Sequence, residues 1–366
     1  MGNSGRYTLL RQCRNDPTHI ELFKHIVALW SGLLRQSLAI IRFGSQVQLY
    51  ILIMARFLST LLYCIIWVLS LLPMPILYLF SDIIWLIMFI CPPLRYRKKI
   101  VRNNLALSFP EKDQKWLKRT ERRFYYQFAC QVMESLKTIS ASRRWVERHM
   151  EFTGADIMRD HMSKGRSCTG YLGHMGNWEM IPSIMYHLEG LDNVLACQVY
   201  HKLENPTMEL FMLKLRSKYG TESIPMEHVL RRLLEFKATG KTFLIGMIAD
   251  QVPLWWNTHY WTQFMNRKTP VFTGAERLAR KLDTEVWYLY ITRKRRGYYR
   301  CELQLLYEHA KDLPEFEATE RYMRILENNI KECPELWLWT HNRWKRNFEE
   351  YQEWLSKHQN ADRPRD

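Results

Sequence analysis

The sequence predicts an α/β fold, a mixed sheet flanked by helices, preceded by an N-terminal hydrophobic membrane anchor. Three observations carry this: apolar strand-like runs alternate with helical runs after Gly165, a nearly uncharged segment occupies 57–91, and a basic cluster follows that segment directly. Alternation of this kind implies a parallel or mixed sheet covered on both faces. The 366 residues suffice for one large domain or two modest ones.

Residues 1–53 are basic, with an amphipathic stretch over 23–43, and lack the small-residue cleavage site of a signal peptide. Met54, followed by Ala55 and Arg56, makes a natural start ahead of the apolar segment, so 1–53 is expected to be an extension that is not translated. Residues 54–94 form the expected anchor. Between 57 and 91 Asp82 is the only charged residue, and Pro73 and Pro75 divide an apolar block at 57–72 from another at 83–91. A spanning helix needs about 20 residues, with about 17 as the lower limit. A kinked span and a re-entrant hairpin both fit, and a buried pair of core helices is the alternative. Arg95, Arg97, Lys98, Lys99 and Arg102 come next. The positive-inside rule keeps such a cluster cytoplasmic, where it can also grip anionic headgroups.

Residues 95–160 read as a helical linking region, with a turn at Ser108-Phe109-Pro110-Glu111 and an apolar-periodic helix over 124–139. Residues 161–366 read as the α/β region. Strands are expected at 168–172, 194–200, 242–249, 285–291 and 299–307. Helices are expected at 178–187, 208–218, 229–238 (stopped by Gly240), 276–282 and 316–331 (ended near Pro334).

Open sheets of this kind bind ligands at the carboxyl ends of their strands. Two expected strands end in polar residues: 168–172 runs into Gly173-His174-Met175-Gly176-Asn177-Trp178-Glu179, and 242–249 runs into Asp250-Gln251. A neutral imidazole held by a carboxylate can take a proton from a hydroxyl at neutral pH. His174 and Glu179 are five apart, a spacing that puts them on different faces of a regular helix. They converge only if the histidine lies on the turn entering the helix, with Gly173 and Gly176 supplying backbone freedom. A turn histidine beside a surface glutamate, and a strand ending in a helix cap at Asp250, are the plain structural alternatives.

Composition narrows the chemistry. A formal net charge of +16 points to an anionic partner such as nucleic acid, phosphorylated lipid, an anionic bilayer or an acidic carrier protein. The eight cysteines are scattered, without C-x-x-C pairs, so no metal site and no disulfide framework is expected, and a reducing compartment fits. No G-x-S-x-G elbow, H-E-x-x-H, P-loop or G-x-G-x-x-G turn occurs, and no nucleic-acid-binding module is recognised. What remains is base-assisted group transfer near a membrane, with a noncatalytic basic protein of the membrane surface as the competing class.

Five motifs stand in order: an apolar anchor; Arg95-Tyr96-Arg97-Lys98-Lys99 followed by Arg102-Asn103-Asn104-Leu105-Ala106-Leu107-Ser108-Phe109-Pro110-Glu111; the His174 motif; Ala249-Asp250-Gln251; and Trp337-Leu338-Trp339-Thr340-His341-Asn342-Arg343-Trp344-Lys345-Arg346. In this order the chain resembles the lipid A biosynthesis lauroyl/myristoyl acyltransferase family, a branch of the lysophospholipid-type acyltransferases with a glycerolipid acyltransferase-like fold. The resemblance covers nearly everything after Met54. It implies an enzyme of the bacterial inner membrane, with its catalytic domain on the cytoplasmic face, that moves an acyl chain from acyl carrier protein to a hydroxyl of a lipid A precursor. No cofactor is implied beyond that co-substrate, and no nucleic acid. By motif position, His174 and Glu179 would be the catalytic dyad, His174 as general base and Glu179 orienting its ring. Arg216 would neutralise a substrate phosphate or the phosphopantetheine. Asp250, with Gln251 beside it, would orient or support the dyad, and Arg343, Lys345 and Arg346 would hold the anionic saccharide. The same chemistry on another glycolipid or amino-acid lipid is the nearest alternative.

Overall fold

The computed structural model describes residues 46–90 and 96–358. The amphipathic stretch at 23–43, most of the extension 1–53, Cys91 and Arg95 lie outside the described residues. Two units are distinguished, Met1–Phe57 and Leu58–Asp366. Of the first, the structure describes only the opening of helix α1 (Gln46–Ser70), which passes Met54 without a break.

The stretch Leu52–Ser70 within α1 is long and apolar enough to cross a membrane. Leu71, Leu72 and Pro73 turn the chain into α2 (Met74–Ile90), which is shorter and differs from a free span. One side of it packs on α4 (Gln114–Thr138). Asp82, its lone charge, pairs at 2.6 Å with Arg296. The other side exposes Ile76, Leu79, Phe80, Ile83, Leu86 and Ile87, the three- and four-residue spacing of a single apolar stripe. The second apolar block, for which the sequence leaves a kinked span, a re-entrant hairpin and a buried helix pair all open, is therefore held on one face by α4 and Arg296.

Helices α3 (Lys98–Ser108), α4 and α5 (Arg143–His149) fill the linking region. The side chain of Asp113 caps α4 at the Trp116 N–H, and that of Ser142 caps α5 at the Trp145 N–H. Two elements here are absent from the sequence reading, strand β1 (Met150–Thr153) and helix α6 (Ala155–Ser163). Four strand residues are too few to display a period.

The sheet has the order β1-β9-β8-β2-β5-β3-β4. Strands β2 (Cys168–Leu172), β3 (Val194–Tyr200), β4 (Glu222–Pro225), β5 (Thr242–Ile248) and β8 (Glu285–Arg295) run parallel to one another. Only β9 (Tyr298–Tyr307), antiparallel to β8, and β1, parallel to β9, reverse the direction. The sheet is thus mixed, as expected. Alternation along β5 shows both faces buried: Phe243 and Ile245 join a cluster with Leu233 and Phe236 of α9 (Val229–Ala238), while Leu244 joins the main core. That main core holds Tyr171, Trp287, Tyr288 and, from α11 (Glu317–Glu332), Tyr322 and Leu326.

The helix expected at 178–187 is a 3-10 turn, Trp178–Ile184, passing into the short α7 (Met185–Leu188). Pro182 lies inside it, lacks the N–H an α-helix would use, and favours the tighter winding. Helices α8 (Pro206–Arg216) and α10 (Gly274–Leu282) complete the crossovers. The two-stranded ribbon β6 (Tyr260–Phe264) and β7 (Arg267–Val271), and the terminal helix α12 (Phe348–His358), were not anticipated.

Candidate active site at the strand ends

Register builds the site. Strands β2 and β5 are parallel neighbours with Leu172 opposite Ile248, and each chain continues two residues past that pair, to His174 and Asp250. Equal steps from paired residues bring the side chains together: Asp250 Oδ1 lies 2.6 Å from His174 Nδ1, and Asp250 Oδ2 accepts the His174 backbone N–H at 2.8 Å. Trp337 Nε1 donates to the same Oδ2 at 2.8 Å. Asp250 is buried, which alone would raise its carboxyl; the His174 charge and these hydrogen bonds outweigh that and bring it down to about 2.

With Nδ1 committed to Asp250, Nε2 is the remaining ring nitrogen, and it accepts a hydrogen bond from the Gln251 side-chain NH2 at 3.2 Å. The Trp178 indole stands edge-on to the imidazole, centroids 4.9 Å apart at 81°. The sequence reading gave the orientation of the ring to Glu179, and the structure places that contact on Asp250. Glu179 instead accepts the Trp178 Nε1–H at 3.2 Å and pairs with Arg216 at 3.8 Å. The reason lies in the backbone, because the tight turn from Trp178 starts the winding that carries Glu179 past the ring.

Both glycines of the motif are required, for different reasons. Gly176 has φ +53°, and a Cβ there would press on Ile291 and the Tyr299 ring at 3.1 Å. Gly173 has no unusual φ; its added Cβ would meet Leu326 Cδ1 at 2.6 Å and Asp250 Oδ2 at 3.4 Å. Behind the loop, fully buried Asn177 donates to Glu134 Oε2 at 3.3 Å, and Glu134 also accepts the hydroxyl protons of Tyr299 at 2.7 Å and Tyr78 at 3.3 Å. Burial pushes the Glu134 carboxyl up against the lowering effect of these donors. Neither Glu134 nor Asn177 stood out in the sequence, where nothing distinguishes Glu134 from a surface helix glutamate.

The C-terminal aromatic motif laces this loop in place. Gly176 N–H donates to Leu336 O, Leu338 N–H donates to His174 O, and Met175 and Trp337 form a β-bridge. The far side of the lace is fastened by α3: buried Asn104 donates to Trp339 O and His341 O, both at 3.0 Å, and just ahead of the helix Arg97 donates to Thr340 O at 3.1 Å. Arg343, expected to hold a saccharide, is wholly buried and donates to Pro270 O at 2.6 Å, so that contact is closed to it. Its guanidinium was drawn inward because the motif runs through the core. Lys345 is exposed, and Arg346 stays near the site, donating to Pro253 O and lying 5.2 Å over the Trp255 ring.

Beside the histidine opens an apolar cavity. Trp178, Glu179 and Arg216 line it together with Leu172, Ile248 and Val199, and Gly170 and Gly246, paired across β2 and β5, line it without side chains. No cluster of three or more His, Cys, Asp or Glu side chains able to hold a metal occurs among the described residues. A base held by a buried carboxylate next to an apolar cavity suits proton removal from a hydroxyl that attacks a long-chain acyl group.

A family model described as bacterial lipid A biosynthesis acyltransferase matches residues 46–346. The matched span includes α1, the whole sheet and the lace through Arg346. No curated protein matches the chain.

Proposed function

Because the chain belongs to the bacterial lipid A biosynthesis acyltransferase family, and is therefore an acyltransferase with a lipid acceptor, we propose that His174 is its general base and that the acyl donor is acyl carrier protein. The acceptor is a hydroxyl of a lipid A precursor, and the enzyme works at the cytoplasmic face of the inner membrane. The observation that carries this reading is the His174–Asp250 bond at the mouth of the parallel strands, one indole away from the apolar cavity.

The acceptor O–H gives its proton to Nε2 as its oxygen attacks the thioester carbonyl. Asp250 keeps Nδ1 protonated and stabilises the imidazolium. The C–S bond then breaks, and the imidazolium returns the proton to the departing thiolate, leaving an ester and free carrier thiol. Arg216, paired with Glu179 at the cavity rim, supplies a planar cation for the phosphopantetheine or a substrate phosphate. The net charge of +16 suits an acidic carrier, so turnover of the carrier-bound donor should fall as salt rises.

The direct test supplies the purified full chain with acyl carrier protein thioester and a tetra-acylated disaccharide lipid and measures ester formation. Transfer to another glycolipid or an amino-acid lipid, with none to the disaccharide, would retain the chemistry and replace the acceptor. Transfer from coenzyme A thioesters in preference to the carrier would overturn the donor.

The cavity makes a second expected outcome. An added Cβ at Gly246 would meet nothing closer than Cys197 O at 3.8 Å, whereas one at Gly170 would strike Leu289 Cδ1 at 2.9 Å. Gly246→Val should therefore fold and shorten the space for the acyl chain. Each methylene excluded costs about 0.8 kcal/mol, roughly fourfold in kcat/KM. We expect kcat/KM for a tetradecanoyl donor to fall about 10–100-fold with little change for a hexanoyl donor. Equal losses on both would show that the chain lies elsewhere.

A further inference from the structure

The parallel strands β2, β3, β4, β5 and β8 all end at one edge of the sheet. The residues that follow them there include an unusual share of exposed apolar side chains: Leu203 after β3, Met226 after β4, Ile248 closing β5, and Leu254 and Trp256 on the loop beyond Asp250. Trp256 is 52% exposed and Leu254 36%. These two are presented by a firm support rather than a slack loop. Trp255 between them stacks on Tyr351 at 5.7 Å and lies under the Arg346 guanidinium, and Tyr351 donates to Thr258 O at 2.8 Å.

The same edge carries the apolar helix. Strand β8 pairs with β2 only as far as Tyr288 and runs on to Arg295, about 20 Å farther. The Arg296 turn at its tip grips α2 through Asp82 Oδ1 at 2.6 Å and Ser81 Oγ at 2.7 Å, and covers the Tyr78 ring at 4.0 Å. The outward stripe of α2 and the rim from Leu254 to Met226 are thus two parts of one edge, with His174 between them in strand order. Exposed Lys202 adjoins Leu203, and the half-buried Arg346 lies over the Trp255 ring, so cations accompany the apolar rim. Tryptophan with neighbouring cations is the composition of a bilayer interface.

We propose that this rim, with Trp256 and Leu254 at its centre, rests in the headgroup layer of an anionic bilayer, continuing the contact begun by α2. An amphiphilic acceptor could then present its hydroxyl to His174 while its chains stay in the membrane. The inference rests on the membrane association proposed above, and the experiment separates the two.

Nitroxide labels are placed on Leu254→Cys and Trp256→Cys, in a full chain whose Cys13, Cys64, Cys91 and Cys333 are serine. Leu61→Cys of α1 serves as the membrane control. Ile157→Cys is the water control, because β1 runs against β2 and delivers α6 to the opposite edge. In vesicles of phosphatidylethanolamine and phosphatidylglycerol, collision rates with oxygen and with a water-soluble nickel chelate are compared. Expected is oxygen-favoured relaxation at positions 61, 254 and 256 and nickel-favoured relaxation at 157. Nickel-favoured relaxation at 254 and 256 with position 61 in lipid overturns the rim and leaves the membrane reading intact. Nickel-favoured relaxation at 61 as well overturns both. Immobilisation of 254 and 256 by acyl carrier protein without vesicles, and not by vesicles, assigns the rim to the carrier and likewise overturns the proposal. As a functional check, Leu254→Ser with Trp256→Ser should raise KM for acceptor presented in vesicles about tenfold and leave KM for a detergent-dispersed acceptor unchanged.

Discussion

Replacing His174 with alanine is expected to lower kcat for acyl transfer by about 10²–10⁴-fold, the usual contribution of a positioned general base. Among the described residues, the other imidazole brought near by the lace is His341, which burial lowers to about 4, so it stays neutral and offers only a weak base. The substitution also strips Asp250 Oδ1 of its partner inside the protein, a loss of about 1–3 kcal/mol for a buried acceptor. A fall in thermal midpoint would therefore accompany the fall in rate and confuse it. His174→Asn restores a donor at the place of Nδ1 without restoring Nε2. It should recover most of the stability and none of the turnover, as read by scanning calorimetry and by single-turnover thioester loss. Turnover near the wild-type rate in either variant would remove His174 from the reaction.

Asp250→Asn is the second large effect, and it is the sharper one because the shape is conserved. The carboxylate accepts three hydrogen bonds, from the His174 ring, the His174 backbone and Trp337. An amide can accept on only one of its two atoms. Its NH2 either faces the Trp337 and backbone donors or turns toward Nδ1 and selects the tautomer with the proton on Nε2, where the base lone pair is needed. In serine proteases the equivalent change costs about 10⁴-fold, and we expect kcat to fall about 10³–10⁴-fold here. Glu179→Gln, which leaves Nδ1 untouched, should cost less in kcat and act through Arg216 on donor binding. If Glu179→Gln proves the more damaging, the ring is oriented differently in the working complex.

The same carboxylate predicts an acid limb. Its value falls from 3.8 unfolded to about 2 folded. A depressed carboxyl contributes stability above its unfolded value, and that contribution is lost as pH drops through the folded one. About 2 kcal/mol should therefore disappear between roughly pH 4 and pH 2, and the Asn variant should lack this component in a plot of stability against pH.

Much of this site was readable from one dimension. Strands ending at Leu172 and near Ile248 were visible as apolar runs followed by polar residues, and those residues proved to be partners. What could not be read was that β2 and β5 are neighbours in a register that sets Leu172 against Ile248, since strand order depends on packing of the whole sheet rather than on any local pattern. That missing register explains why Glu179, close in sequence, was given the contact that Asp250 makes from 76 residues away. Arg343 failed for a related reason: charge in a sequence suggests solvent, and only the path of the aromatic motif through the core reveals a buried guanidinium. The two-stranded ribbon was missed because its strands are only five residues each, are parted by the Met265-Asn266 turn, and one of them contains Pro270, a residue that argues against a strand.

The lacing of the histidine loop by Leu336, Trp337 and Leu338 also sets a timetable for biosynthesis. A ribosome that has released α1 through β9 has made every strand of the seven-stranded sheet. His174 O, Gly176 N–H and Asp250 Oδ2 nevertheless wait for partners more than 80 residues downstream, and the span closed by Asn104 exceeds 230. Contacts so distant in sequence form late. A product cut short ahead of Trp337 would lack both the indole bond to Asp250 and the backbone bond from Leu338 to the His174 loop.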